Sequence, residues 1–341
     1  MTRAYRLAAL AGALAASWSL AGGALAFEFP KVSVPRVSVP RVSVPRLFAP
    51  KTTTDGPGVV VDDTAVYPES ITVSTTGAVI LGSANKPIIY RGSLASGGAE
   101  AWIWLKGPGV VTTLGVLADD ASNTLWACQI EQPAGTPPPP RRSMLRAFDL
   151  TTGEAKASYG LTGAANLCND ITVGPDKTVY ISDTTNGRIF TLKPGAKTLT
   201  VWSSDAKLAG IDGLTFVGAT LYVNTVTTGH IYRMPIGADG KAGAPVDIAL
   251  SQPLNRPDGM RAQGKRLFVA ENGAGRIAEL NIVGDRATVG IYKTGYDTPT
   301  AVQPMGDTLW VGESQFPYLR DPKLQGKSPG PFEAYAIPLS K

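Results

Sequence analysis

Four oxygen-bearing residues, Glu69, Asn169, Asp212 and Asp258, recur at the start of short apolar runs. The runs read Glu69-Ser70-Ile71, Asn169-Asp170-Ile171, Asp212-Gly213-Leu214 and Asp258-Gly259-Met260. Any one of them alone reads as a turn residue, because Asn-Asp and Asp-Gly suit the bend before a strand. As a set in register they say more. Three carboxylates brought together repel one another and rise in pKa unless a counter-charge sits among them. A hard cation with flexible, oxygen-rich coordination supplies that charge, so calcium is expected before zinc, with another divalent cation as the alternative. Such an ion polarises a carbonyl group. A neighbouring carboxylate, Asp258 foremost, would orient or deprotonate the attacking water.

Other chemistries are narrowed by what the chain contains. It has one histidine, His230, which excludes a three-histidine zinc site and any mechanism built on a histidine pair. The Gly-x-Ser-x-Gly string at residues 326–330 has proline inside it and directly after it, with no helical run beyond, so it does not read as the strand-turn-helix elbow of a serine nucleophile. His230 follows Gly229 at the start of a predicted third strand and reads as structural or solvent-facing. Asp183, Asn224 and Glu271 follow the second strand of their units and are expected to hold turns by hydrogen bonds. Trp102, Trp104, Trp126 and Trp310 are expected to pack between units.

The elements that must position these residues repeat from about residue 60. Each unit has a polar lead-in, an apolar strand, a turn, a second strand of the form Leu-aromatic-Val and often a Gly-Arg-Ile third strand. The clearest copies pair Asn169-Asp170-Ile171 with Val179-Tyr180-Ile181, Asp212-Gly213-Leu214 with Leu221-Tyr222-Val223, and Asp258-Gly259-Met260 with Leu267-Phe268-Val269. Weaker copies begin near Glu69, near Leu117 with Leu125-Trp126-Ala127, and near Thr300 with Leu309-Trp310-Val311. Units of roughly 40–50 residues match the blades of a propeller. Sustained helical periodicity is lacking. The expected fold is therefore all-β, a six-bladed β-propeller over residues 59–341. In such a ring, equivalent positions of different blades point to one end of the channel, which explains why the four lead-in residues would meet.

The first 26 residues read as a secretory signal peptide. Arg3 and Arg6 precede an apolar stretch, and Ala24-Leu25-Ala26 forms a small-x-small cleavage site. A periplasmic or secreted protein is expected, with no transmembrane segment after cleavage. Residues 27–58 form a proline-rich basic linker in which Val-Ser-Val-Pro-Arg occurs three times. Regular proline favours an extended, polyproline-like chain. It is either a spacer or a basic arm on an anionic envelope surface. The formal charge of +5 is concentrated in the signal and this linker, so the body is near neutral and no nucleic-acid partner is expected. Cys128 and Cys168 sit in adjacent units and are expected to form a disulfide in an oxidising compartment. Pro137 to Pro140, with Arg141 and Arg142, mark a protruding loop.

Taken together, Pro68-Glu69-Ser70, Cys168-Asn169-Asp170 with Pro175-Asp176, Asp212-Gly213-Leu214 and Arg256-Pro257-Asp258-Gly259-Met260 resemble the successive motifs of the gluconolactonase and senescence-marker-protein family. The resemblance runs over about residues 60–341. It is most specific at the last motif, with Leu267-Phe268-Val269-Ala270 and Asn272-Gly273-Ala274-Gly275-Arg276-Ile277 beyond it. It implies a six-bladed, calcium-dependent propeller that hydrolyses lactones. It also implies Glu69, Asp212 and Asp258 as metal ligands and Asn169 beside the metal or its water. Two positions depart from the pattern. The family has asparagine where this chain has Asp212, and arginine where it has Leu167. A third carboxylate would bind the cation more firmly but damp its Lewis acidity, and loss of the arginine argues against sugar-acid lactones. The expected function is an exported calcium-dependent hydrolase acting on a small lactone or ester. The alternative is a non-catalytic envelope propeller that binds a ligand or partner around a structural calcium. A condensing role like that of strictosidine synthase lacks its catalytic glutamate here.

Overall fold

The computed structural model describes residues 57–106, 109–137, 139–327 and 329–339. The expected signal peptide and the Val-Ser-Val-Pro-Arg linker lie outside them. Six strands each open an antiparallel meander: Ile71–Val73, Val110–Asp119, Cys168–Val173, Ile211–Val217, Pro257–Gln263 and Pro299–Met305. We number the six units blades 1 to 6 in that order. Blade 3 shows the pattern plainly. Cys168–Val173 pairs with Val179–Asp183, then Arg188–Leu192, then Thr200–Ser204. The second strand is buried along its whole length, whereas the outermost strand is mostly exposed. That gradient explains the sequence: Leu-aromatic-Val segments are covered by neighbouring blades on both faces, so they are continuously apolar.

The opening strands neighbour one another in a closed cycle, from blade 1 through blade 6 and back to blade 1. Closure is made by the start of the described chain. Blade 6 contributes three strands, and Gly58–Val61 completes it by pairing antiparallel with Glu333–Pro338. Gly58–Val61 also runs parallel to Gly98–Trp104 of blade 1. A ring closed this way leaves no open sheet edge between its ends. No helix of the described residues is long and apolar enough to cross a membrane. The all-β propeller expected from the repeat is the fold of the chain.

The opening strands are not regular. In blades 3, 4, 5 and 6 the register slips near the first residues, between Cys168 and Ile171, Ile211 and Leu214, Pro257 and Met260, and Pro299 and Ala301. These are β-bulges, which insert a residue and re-aim side chains. Asn169-Asp170, Asp212-Gly213 and Asp258-Gly259 occupy them. The first residue of each pair turns to the channel mouth and the second faces the next blade. A Cβ on Gly213 would lie 2.6 Å from the Asp258 carbonyl oxygen, and one on Gly259 would lie 2.5 Å from that of Thr300. Glycine is required there by contact between blades. Elsewhere the second residue reaches across. Ser70 Oγ accepts the Val116 N–H at 3.2 Å, and Asp170 Oδ2 accepts the Leu214 N–H at 3.1 Å. The change from Ser to Asp to Gly along the repeat thus records how close each next blade comes.

Two expectations are corrected by these details. The blade 2 equivalent of the lead-in residues is Leu114, not Leu117. Gly115 packs on the Asn169 carbonyl as Gly213 packs on that of Asp258, and two register slips in Val110–Asp119 displace the sequence reading. Trp104 is 62% exposed on the outermost strand of blade 1 instead of packing between blades. The Cys128–Cys168 disulfide is present, joining the second strand of blade 2 to the first residue of the blade 3 opening strand. Pro137, Pro139 and Pro140 lie outside any strand.

A candidate metal centre at the channel mouth

The six equivalent mouth positions carry Glu69, Leu114, Asn169, Asp212, Asp258 and Thr300. Of these, Glu69, Asp212 and Asp258 bring one carboxylate oxygen each to within 4.8 Å of one another. All three are nearly removed from solvent, at 9%, 5% and 8% exposure. The backbone turns left-handed two residues ahead of each, at Tyr67, Gly210 and Arg256, which swings the chain over the blade edge and down into the channel.

Each side chain is held differently. Asp258 accepts the Gly259 N–H at 3.1 Å through Oδ1 and the Asn272 amide at 3.2 Å through Oδ2. Asn169 donates its amide N–H to Thr184 Oγ1 at 3.0 Å. Its carbonyl Oδ1 is buried and has no hydrogen-bond partner among the described residues. Thr184 and Asn272 hold the same place, directly after the second strands of blades 3 and 5. In blade 4 that place belongs to Val226, so Asp212 is not oriented from its own blade.

The electrostatics disfavour three ionised carboxylates here unless protons or a cation neutralise them. Burial, then Asp212 and Asp170, push Glu69 well above the ordinary carboxylate range. Burial, then Asp258 and Asp170, do the same to Asp212, with the Asn169 amide acting in the opposite sense. Asp258 is raised by burial and by Glu69, against the pull of Arg320 and the Gly259 N–H. Three crowded carboxylates and an orphaned carbonyl oxygen form an all-oxygen donor set, which fits a calcium-type ion and does not fit a soft metal. Glu69, Asp212, Asp258 and Asn169, predicted from four separate repeats, are therefore brought together.

Beneath them the channel is filled by an ion pair. Arg261 donates to both carboxylate oxygens of Asp170, at 2.6 and 2.7 Å, and to the Met260 carbonyl at 2.8 Å. Burial opposes the Arg261 charge, but Asp170 outweighs it and leaves its pKa raised. Removing either partner alone would strand a buried charge, at a cost of about 3–5 kcal/mol. The Asp170 partner of Asn169 is thus structural, a distinction the sequence pair Asn-Asp does not make by itself.

Asn224 also differs from its expected role. Asp183 and Glu271 do pin loops. Asp183 accepts the Leu167 N–H at 2.9 Å, and Glu271 accepts the Asn255 N–H at 2.7 Å. Asn224 lies one position earlier in its strand, in register with Ser182. Its Oδ1 accepts the Gly213 N–H at 3.0 Å and its Nδ2 donates to the Asp258 carbonyl at 2.5 Å. One fully buried amide therefore fixes the bulges that carry Asp212 and Asp258. His230 is remote from this site, where it stacks on Tyr232 and meets Asp247 at 3.0 Å.

Above the carboxylates the mouth opens into a cavity with Leu114, Leu167, Val226 and Phe316 on its wall and Arg256 and Arg320 at its rim. Arg320 ends a short helix, Pro317–Arg320, in the segment between the second and third strands of blade 6. That segment has no counterpart in the other repeats, which is why the periodicity could not place it.

Comparison with known proteins finds likeness in fold alone. No protein-family model matches the chain, and no curated protein matches it in sequence. A calcium-binding protein, regucalcin, from Agrobacterium tumefaciens superposes with a TM-score of 0.61 at 16% identity, over 83% of this chain and 93% of that one. A gluconolactonase from Xanthomonas campestris gives 0.57 at 16% identity, over 85% and 99%. A virginiamycin B lyase from Staphylococcus aureus, solved with quinupristin, gives 0.54 at 16% identity, over 83% and 98%.

Proposed function

We propose that this six-bladed ring is an exported, calcium-dependent hydrolase of small lactones or esters. The observation that carries the reading is the mouth constellation: three buried carboxylates with oxygens within 4.8 Å of one another, in a mouth also lined by Asn169, whose carbonyl has no partner among the described residues. Glu69, Asp212, Asp258 and Asn169 would hold the ion. Its chemistry, when bound, is to polarise the substrate carbonyl and favour negative charge on that oxygen. Asp258 is the residue assigned to the water. The Gly259 N–H and the Asn272 amide fix its carboxylate, one on each oxygen. The apolar wall of Leu114, Leu167, Val226 and Phe316 limits the water that reaches this point. The likeness in fold to a gluconolactonase and to regucalcin supports the same reading. The Cys128–Cys168 disulfide supports export, since such bonds persist in oxidising compartments.

One observation favours the second reading, a non-catalytic binding propeller. Each mouth carboxylate is a candidate ligand, and Asp170 is locked to Arg261, so the base would itself be bound to the ion and weakened. The two readings part in a screen of lactones and aryl esters with and without calcium, on wild type and Asp258→Ala. Calcium-dependent turnover that disappears in the variant is expected. A rise in Tm with calcium and no turnover of any substrate would leave the binding protein instead.

A further inference from the structure

Beyond the second strand of blades 1, 3, 4 and 5, one residue clamps the lead-in by its backbone. Ala84 donates its N–H to the Tyr67 carbonyl at 3.0 Å, Thr184 to that of Leu167 at 3.1 Å, Val226 to that of Gly210 at 2.9 Å and Asn272 to that of Arg256 at 3.1 Å. Each acceptor lies two residues ahead of a mouth residue, and the four clamping residues all line the cavity. Two of them have side chains that can orient the mouth residue. Asn272 donates to Asp258 Oδ2 at 3.2 Å, and Thr184 Oγ1 accepts the Asn169 amide at 3.0 Å. Polarity is matched to the partner. The carboxylate receives a donor, whereas the amide nitrogen receives an acceptor that leaves its carbonyl uncommitted.

The Thr184 hydroxyl is held in place. The residue is buried, and its β-branched side chain is stiff at χ1. Its neighbour Asp183 accepts the Leu167 N–H at 2.9 Å and is itself paired with Arg188 at 2.6 Å. The disulfide holds Cys168 directly before Asn169. The Asn169 amide nitrogen has a second hydrogen to give. Burial, then Asp258 and Asp170, raise the Asp212 carboxylate, and a hydrogen bond from the Asn169 side chain works against them. Val226 offers Asp212 no polar group from its own blade, so blade 3 supplies this contact.

From this chain of contacts we infer that Thr184 is a positioning residue of the cation site: its hydroxyl holds the Asn169 amide so that Oδ1 is offered to the ion and the second N–H to Asp212. The inference rests on the cation site proposed above and adds a residue that acts on it through Asn169. One hydroxyl in blade 3 thus sets two donors, one in its own blade and one in blade 4. Losing it would leave the carboxamide free to turn its nitrogen toward the ion, where a donor hydrogen opposes binding.

The test is a double-mutant cycle of Thr184→Val and Asn169→Ala, read by calorimetric titration of the chelator-stripped full chain with calcium chloride. Thr184→Val should lose roughly 10–100-fold in calcium affinity, the range for a ligand's supporting partner. Thr184→Ser keeps the hydroxyl and should restore most of it. In the Asn169→Ala background, Thr184→Val should cost less than about twofold, because the two residues are coupled through a bond already gone. Circular dichroism of the metal-free proteins checks that each variant folds. Thr184→Ala, which adds no atoms, gives the same cycle should the valine variant fail to fold. Unchanged affinity on loss of the hydroxyl, or an equal loss with and without Asn169, overturns the inference and spares the cation site. A wild-type chain that binds no calcium overturns both.

Discussion

The seam between blades 2 and 3 and the seam between blades 4 and 5 solve one problem with different chemistry. In both, the fourth residue along the second strand, counted from Leu125 or Leu221, reaches the bulged opening strand of the next blade. In blade 2 that residue is Cys128, bonded covalently to Cys168 beside Asn169. In blade 4 it is Asn224, hydrogen-bonded to the Asp258 carbonyl and to the Gly213 N–H. The first seam faces the apolar side of the mouth, with Leu114 and Leu167; the second carries Asp212 and Asp258. A disulfide fixes where a blade sits but satisfies no polar group. An amide fixes the same distance and also pairs two backbone groups beside buried carboxylates, where an orphaned donor or acceptor would be costly. Covalent linkage thus serves the wall and the neutral donor Asn169, and hydrogen bonding serves the carboxylates Asp212 and Asp258.

The sharpest way to break this comparison is to cut each seam separately. Replacing Cys128 and Cys168 by serine opens a loop with a sequence separation of 40. Chain entropy puts the loss near 4 kcal/mol, read by denaturant unfolding. Calcium affinity should fall less than on loss of Asn224, because Glu69, Asp212 and Asp258 lie on other blades and only Asn169 adjoins Cys168. Asn224→Leu strands the Gly213 N–H and the Asp258 carbonyl. Stability should fall by about 2–3 kcal/mol, and calcium affinity by roughly 10–100-fold, the range seen when a ligand's supporting partner is lost. If the disulfide variant loses calcium affinity and the Asn224 variant does not, the assignment of roles is reversed.

A smaller effect sharpens the contrast through pH. Glu69, Asp212 and Asp258 have raised pKa values in the metal-free fold. The fold therefore keeps protons that the unfolded chain releases near pH 4. Stability from these groups is greatest at low pH and is lost as pH rises through the raised folded values. A bound cation removes this penalty by compensating the ionised forms. The calcium-induced rise in Tm should thus be larger at pH 8 than at pH 5, while any change in Tm on reducing the disulfide should show no such dependence on calcium.

What the sequence showed follows the same division. Glu69, Asn169, Asp212 and Asp258 were legible because each opens a repeat, and the repeat is a direct record of strands buried on both faces. The disulfide was legible because two cysteines fell in neighbouring units. Asn224 was misassigned by one place, since a one-residue shift moves a strand side chain to the opposite face and leaves the composition unchanged. Leu114 was missed because two bulges displace it from the apparent register. Arg320 carries no repeat signal at all, and its position depends on how the blade 6 segment folds back over the ring. Closure through Gly58–Val61 is likewise a contact between distant parts of the chain.

The most direct test of the cation site is calorimetric titration of chelator-stripped protein with calcium chloride, comparing wild type with Asp258→Asn. One calcium ion per wild-type chain is predicted, with affinity lost by more than the roughly 100-fold range of a supporting partner when Asp258 is neutralised. Circular dichroism should show the variant still folded, since the substitution relieves repulsion among buried carboxylates. A wild-type chain that binds no calcium, or a variant that binds it equally well, would contradict the site.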